Sequence, residues 1–356
     1  MSTPIVETNL KFSAREIFEW SVQSLLAGFP FLIVGPGGIG KSDILEQAVS
    51  AINTSKLWLT AEFTEPFELL ISHPSVKGPQ DYQGLPFRAL DGTVADFLPF
   101  GDLYRMLSAT RPLVVFFDDL GQAAVSVQAA IMQLILGREI NQKHISPFVR
   151  FCAATNRRQD RAGVQNFLDP LATRFDWIAE LVPSVEDWVR WAAKNSVRKE
   201  VISFLNWDKS ALCDSKTSAD IAPHACPRTW FHLSRQLTIG AKDLKQFCAV
   251  VGAEYGAKFA AHLACYADLP RIEAILKNPK TAPLPVEDGT GSFYAMAGAL
   301  SSHVNPTNID KIFVYLNRLP KEIQVLTVKI SLKAQQIVKE SAVFATWAAD
   351  NADIFI

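Results

Sequence analysis

Gly35-Pro36-Gly37-Gly38-Ile39-Gly40-Lys41-Ser42 fits the pattern G-x-x-x-x-G-K-[ST], whose glycines let successive backbone N–H groups curl around a phosphate without Cβ clashes. In that chemistry Lys41 bridges the β- and γ-phosphates of a nucleoside triphosphate and the Ser42 hydroxyl ligates Mg²⁺. Asp43 follows in the helix that such a loop opens, so the residues expected to hold nucleotide run from Gly35 to Asp43. The helix N-terminus adds partial positive charge at the same place. Further on, Leu113-Val114-Val115-Phe116-Phe117 leads into Asp118-Asp119. Many apolar strands end in an acid. Downstream of a phosphate loop, however, this one reads as the acid-bearing strand of a nucleotide hydrolase, with Asp118 holding the Mg²⁺ shell and Asp119 orienting or deprotonating the attacking water.

The elements that must position these residues alternate over the first ~180 residues as an α/β domain with a parallel sheet does. Ser13 to Leu26 carries apolar residues at helical spacing, and Phe31 to Val34 is a short apolar run ending in glycine, the form of a buried parallel strand. Then come a helix over Asp43 to Ala51, a strand over Leu57 to Ala61, a helix over Phe100 to Ser108, the strand Leu113 to Phe117, a helix over Val127 to Leu136 and a strand over Phe148 to Ala153. The Gly/Pro-punctuated stretch His73 to Pro99 reads as an inserted hairpin, because Gly84 to Arg88 and Val94 to Phe97 flank the turn signal Asp91-Gly92. Pro183 marks a composition shift. Val185 to Ala193, Lys199 to Leu205, Pro227 to Leu237 and Leu244 to Tyr266 then read as a helical domain over 183–268. Asn278 to Gly291 reads as a linker, beyond which Ala295 to His303, Ile309 to Tyr315, Lys321 to Leu332 and Ala334 to Asp350 form a helical extension over 269–356.

Composition excludes several classes. The 356 residues, with 49% hydrophobic and 20% charged side chains, fold with sizeable cores rather than staying disordered. Thirty-five Lys+Arg against 36 Asp+Glu leave a net charge of −1, so no global basic field advertises nucleic acid or an anionic membrane. The longest apolar runs fall far short of the ~20 residues of a membrane span, and Met1 to Lys11 does not read as a secretory signal. Five scattered cysteines (Cys152, Cys213, Cys226, Cys248, Cys265) without a C-x-x-C pair fit reduced thiols in a cytoplasmic setting and argue against zinc. His73, His224 and His232 are isolated and read as structural or exposed, and Trp188, Trp191, Phe204 and Trp207 as core of the helical domain.

Taken together with Ala153-Ala154-Thr155-Asn156-Arg157, Leu171-Ala172-Thr173-Arg174-Phe175 and Pro227-Arg228-Thr229-Trp230, the loop and acid pair follow the order and spacing of AAA+ ATPases. Within that superfamily the chain most resembles the MoxR branch, related to magnesium-chelatase and dynein-type modules, over roughly residues 12 to 265. The resemblance implies a P-loop NTPase domain with a five-stranded parallel sheet flanked by helices, over residues 1–182, followed by a helical lid and, outside its reach, the C-terminal extension. It implies that Asn156 is the first sensor, an amide that helps place the water, unless it only caps a turn. Arg174 matches the finger supplied to a neighbouring subunit's nucleotide, with pairing to Asp169 or Asp176 in its own subunit as the alternative. Arg228 matches the second sensor at the start of a lid helix, or is a plain helix-start arginine. Arg157, Arg158 and Arg161 form a basic cluster beside Asn156 that faces a subunit interface or solvent. The hairpin sits where the MoxR branch carries an insertion that commonly faces a ring pore or partner; Leu85, Phe87 and Arg88 either do so here or cover their own sheet edge.

One departure concerns the acid pair. The family usually has Asp-Glu where this chain has Asp118-Asp119, and the missing methylene sets the catalytic carboxylate about 1.5 Å further back. Slow or substrate-gated turnover is the expectation. The resemblance implies ATP and Mg²⁺ as cofactors, a homo-oligomer assembled as a hexameric ring, and chaperone-like remodelling of a protein client, often one with a von Willebrand factor A domain. Two other readings stay open on the same scaffold: a nucleic-acid motor, and an assembly scaffold that binds ATP and hydrolyses it negligibly.

Overall fold

The structure is a computed structural model that describes residues 10–61, 63–88, 92, 94–157, 160, 167–214, 222–267, 269–285, 290–334, 338 and 341–351. It divides into two compact units, Met1–Val182 and Pro183–Ile356.

The first unit is an α/β layer structure. Its strands are β1 (Lys11–Phe12), β2 (Phe31–Val34), β3 (Glu68–Ser72), β4 (Leu85–Arg88), β5 (Ala95–Leu98), β6 (Leu113–Phe117), β7 (Glu139–Ile140), β8 (Lys143–His144), β9 (Val149–Thr155) and β10 (Trp177–Leu181). Its helices are α1 (Ala14–Ala27), α2 (Lys41–Thr54), α3 (Gln80–Gln83), α4 (Gly101–Ser108), α5 (Val125–Gly137) and α6 (Asp169–Ala172). One parallel sheet has the order β1-β10-β2-β9-β6-β3, with β4-β5 and β7-β8 as separate antiparallel pairs. The expected class, an α/β P-loop domain with a parallel sheet flanked by helices and followed by helical segments, is thus observed, with six strands in place of five. The sixth is β1, two residues added to the sheet edge by pairing with Glu180 and Leu181 of β10.

Alternation along the strands builds two cores. Phe31, Ile33, Val114, Phe116, Cys152, Ala154 and Ala179 face α1 and α2, while Leu32, Val34, Val115, Phe117, Phe151 and Ala153 face α4 and α5. Helix α1 begins in a capping box between Ser13 and Glu16 and ends at Gly28 in the left-handed region. Trp177 fastens it to the sheet, stacked between Trp20 and Phe31 at 4.3 and 4.4 Å, with its Nε1 donating to Ser24 Oγ.

The strand expected over Leu57–Ala61 is a 3₁₀ turn instead, and the strand lies at Glu68–Ser72. The chain reverses after α2 at Lys56, whose φ is +51°, and Asn53 ties the far end of the reversal by exchanging hydrogen bonds with the backbone of Phe67. The hairpin β4-β5 is present and every residue in its two strands is exposed, including Phe87, so they do not cover the edge of their own sheet. Asp91 of its expected turn lies outside the described residues.

The second unit is helical among its described residues: α7 (Val185–Lys194), α8 (Lys199–Trp207), α9 (Pro227–Thr238), α10 (Leu244–Val251), α11 (Ala253–Ala267), α12 (Ile272–Lys277), α13 (Thr290–His303), α14 (Ile309–Leu316), α15 (Lys321–Ala334) and α16 (Ala342–Asp350). The helix expected from Leu244 to Tyr266 is broken at Gly252, where φ is +87° and a Cβ would meet the Pro223 carbonyl oxygen at 2.9 Å. Trp188, Phe204, Trp230 and Phe259 centre one core, with Trp191 and Trp207 packed against it, and Tyr315, Phe313 and Trp347 belong to a second.

Candidate functional site

The strand order explains how distant residues meet. Parallel strands put all their carboxyl ends on one side, and β9 lies between β2, which feeds the phosphate loop, and β6, which ends in the acid pair. Asn156 directly follows β9, so it emerges between Lys41 and Asp119.

The loop from Gly35 to Gly40 is shaped for an anion. Gly38 and Gly40 have φ of +73° and +101°, a region that L side chains rarely adopt, and a Cβ on Gly37 would project into open space. Gly35 cannot easily be larger: a Cβ would come to 3.1 Å from the Leu181 carbonyl oxygen. Its N–H donates to Thr155 O at 3.1 Å, locking the loop's start to β9. The N–H groups of Gly37, Gly38, Gly40 and Ser42 find no acceptor among the described residues, a row of donors at the start of α2. Ile39 is buried beneath them, whereas Pro36 is half-buried and Asp43 points outward from the first turn.

Lys41 is buried, and its Nζ donates to Gly35 O at 2.8 Å, Pro36 O at 3.0 Å and Asn156 Oδ1 at 2.7 Å. The ammonium therefore braces the loop from within and fixes which way the Asn156 amide faces. Its nitrogen is turned toward the acid pair, with Nδ2 donating to Asp119 Oδ1 at 3.4 Å. Ser42 Oγ donates to Asp118 Oδ2 at 2.8 Å, which brings a hydroxyl oxygen and a carboxylate together at the loop's end. Two hard oxygen donors side by side suit Mg²⁺. Asp118 is further held by the N–H of Asp119 on Oδ1, at 3.0 Å, and its own N–H donates to Ser72 O at the end of β3.

Asp119 caps the 3₁₀ turn Leu120–Gln122 in the left-handed region, φ +55° and ψ +37°. Asp tolerates that conformation better than most residues. Arg174 follows α6, and its Nε is buried without a hydrogen-bond partner among the described residues. Arg228 is exposed in the first turn of α9, in the second unit.

Arg157 corrects the expectation of a basic patch at its position. Its guanidinium pairs with Asp160 at 2.7 Å and Glu180 at 3.1 Å, in a largely buried cluster that raises its already high pKa chiefly through the Asp160 hydrogen bond. Arg157 thereby ties the residue after Asn156 to β10. Arg158 and Arg161 lie outside the described residues.

Sequence reasoning missed Gln122, whose Nε2 donates to Asp119 Oδ1 at 2.8 Å. A side-chain amide three residues after an acid, in the turn that follows an apolar strand, is the signal that could have found it. No group of three or more His, Cys, Asp or Glu side chains placed to hold a metal ion occurs among the described residues, and no helix there is long and apolar enough to cross a membrane.

No protein-family model matches the chain, and no curated protein matches it. Among solved structures, a point variant of RuvB from Thermotoga maritima is similar at 15% identity over 86% of this chain and 87% of that one, with a TM-score of 0.41. The T. maritima RuvB Holliday junction branch migration motor gives 16% identity, 86% of both chains and 0.39. NtrX from Brucella abortus gives 13% identity, 92% of this chain, 69% of that chain and 0.41. At these identities and TM-scores the reading of the site rests on its own geometry: a phosphate-shaped loop, a buried lysine, a hydroxyl-carboxylate pair and a second carboxylate beside an amide, assembled at one end of a parallel sheet.

Proposed function

We propose that this chain is an ATP-binding, Mg²⁺-dependent ATP hydrolase of the AAA+ kind. The observation that carries the reading is the junction of three strand ends, where Lys41 reaches Asn156 and Ser42 reaches Asp118 across the sheet. The donor row of the loop would bind the β-phosphate, and Lys41 would turn its ammonium from loop carbonyls to the β- and γ-phosphates. Ser42 and Asp118 would hold Mg²⁺, which when bound supplies charge neutralisation between the β- and γ-phosphate oxygens. Asp119 would accept a proton from the attacking water, and the Asn156 amide would help orient that water.

The finer reading follows the resemblance to the MoxR branch: a homo-oligomeric ring, taken as a hexamer, that remodels or activates a partner protein such as one with a von Willebrand factor A domain. Arg174 would complete the neighbouring subunit's site, a reading supported by its Nε, which is buried without a hydrogen-bond partner among the described residues of its own chain. Arg228 would report the γ-phosphate to the helical unit. Phosphate release from ATP with and without Mg²⁺, against a Lys41→Ala blank, tests the reading. Mg²⁺-dependent release above the blank is expected. ATP binding with no release above it would favour the scaffold alternative, and absence of ATP binding would overturn the reading altogether.

A further inference from the structure

Asp119 is both short for its role and unusually constrained. Two amides converge on one of its oxygens: Gln122 Nε2 at 2.8 Å and Asn156 Nδ2 at 3.4 Å, both on Oδ1. The 3₁₀ turn makes this possible, because the Gln122 N–H bonds back to Asp119 O at 3.0 Å and folds the side chain over the carboxylate. The other end of the same amide, Gln122 Oε1, is buried and has no hydrogen-bond partner. An orphaned buried acceptor carries a desolvation cost, and it is tolerated here beside the carboxylate proposed as base.

We propose that Gln122 is the positioning residue for Asp119. By holding Oδ1 it fixes the carboxylate's rotamer and leaves Oδ2 to take the proton of the attacking water. The tie does for the short side chain what the extra methylene of a glutamate would do by reach, converting a carboxylate free to rotate about χ1 and χ2 into one with a set direction. Asn156 has its carbonyl oxygen committed to Lys41, so it offers Asp119 only the longer of the two contacts; Gln122 supplies the stronger constraint. This inference rests on the hydrolase reading above and concerns turnover alone, since the Gln122 amide bonds to Asp119 and, among the described residues, makes no hydrogen bond to the loop or to Ser42 and Asp118.

The test is single-turnover hydrolysis of radiolabelled ATP by the full chain, with Gln122→Met, Asp119→Asn and the double variant, beside ATP affinity and thermal midpoint. Gln122→Met keeps the side chain's length and removes the amide. The expected result is turnover about ten-fold lower, with ATP affinity changed less than two-fold. The double variant is expected to be no slower than Asp119→Asn alone, because residues acting as a unit are non-additive. Turnover within two-fold of wild type would overturn the inference. So would a loss of ATP affinity alongside turnover, or losses that multiply in the double variant, either of which marks a merely structural role. Should Gln122→Met not fold, Gln122→Asn, whose amide sits one methylene further back from Oδ1, takes its place with the same expected split. Failure of the hydrolase reading looks different: the wild type itself would then not exceed the Lys41→Ala blank.

Discussion

Ser42→Ala removes one hydroxyl and separates two consequences of the proposed geometry. In the protein without nucleotide it deletes the 2.8 Å hydrogen bond from Oγ to Asp118 Oδ2. Hydrogen bonds to charged groups contribute about 1.5–3 kcal/mol. Both partners are half-buried and Asp118 keeps the Asp119 N–H on its other oxygen, which places this loss near the lower bound, about 1.5 kcal/mol. For a unit of 182 residues each kcal/mol moves Tm by about 2–4 °C, so the midpoint falls about 3–6 °C. The second consequence concerns ligand. ATP with Mg²⁺ at a hundred times Kd stabilises the wild type by about 2.7 kcal/mol, some 5–11 °C at the same conversion. Without the hydroxyl the metal loses one of its two protein oxygens, so the part of that increment that EDTA abolishes in the wild type is expected largely to vanish. Differential scanning fluorimetry with ATP, in Mg²⁺ and in EDTA, reads both. A variant that loses the apo stability yet keeps the full Mg²⁺-dependent increment would show that Ser42 is a structural partner of Asp118 and not a metal ligand.

Further perturbations test the surroundings of the site. Gly40→Ala forces a Cβ onto φ +101°; a cost of about 1–2 kcal/mol is expected, with ATP affinity in a fluorescence titration reduced by ten-fold or more as the loop shifts. Arg157→Ala leaves Glu180 and Asp160 facing each other without their cation, and urea unfolding should show a loss of about 2–3 kcal/mol; a loss under 0.5 kcal/mol would mean that the cluster does not brace the site. His262, buried against Trp207 and Phe204, has its pKa pushed down to about 4 by desolvation. The unfolded chain protonates near 6.5 and the folded one does not until about 4, so stability is full above pH 6.5 and falls as pH drops through that window. The loss should be about 2 kcal/mol by pH 5, and it should be absent in His262→Gln when urea melts are compared at pH 7.5 and 5.

The residues that carry chemistry were legible because their types are restrictive. A loop whose φ angles only glycine adopts easily, and a strand with five consecutive buried residues ending in acid, leave marks in sequence that few other structures make. Asn156 and Arg174 were legible only as parts of a five-motif order, since either alone is an ordinary polar residue in a loop. What was not legible depended on partners far along the chain. Leu57 to Ala61 is as apolar as a strand, but Asn53 and the reversal at Lys56 turn it into a 3₁₀ segment, and local propensity cannot register a hydrogen bond to Phe67. Trp177 to Leu181 alternates over only five residues, too short a signal for a strand without the stack on Trp20 and Phe31 that gives it a place. Arg157 read as part of a basic cluster because one of its acids, Glu180, lies 23 residues away on β10, and nothing local shows that Asp160, three residues on, turns back onto the guanidinium. The helix expected through Gly252 ends there because the glycine turns to φ +87°, a backbone reversal that periodicity does not report.

The proposed hydrolysis of ATP at the junction of Lys41, Ser42, Asp118, Asp119 and Asn156, in sites that Arg174 of a neighbouring copy would complete, makes activity depend on assembly. Steady-state ATP hydrolysis as a function of protein concentration, with Lys41→Ala as blank and Arg174→Ala beside it, measures that dependence. Specific activity is expected to climb with concentration, to disappear in Arg174→Ala, and to return in part when Arg174→Ala and Lys41→Ala are mixed, since a mixed pair can join an intact loop to an intact arginine. Activity that is independent of concentration and indifferent to Arg174 would contradict the shared site, and activity no higher than the Lys41→Ala blank would contradict the hydrolase.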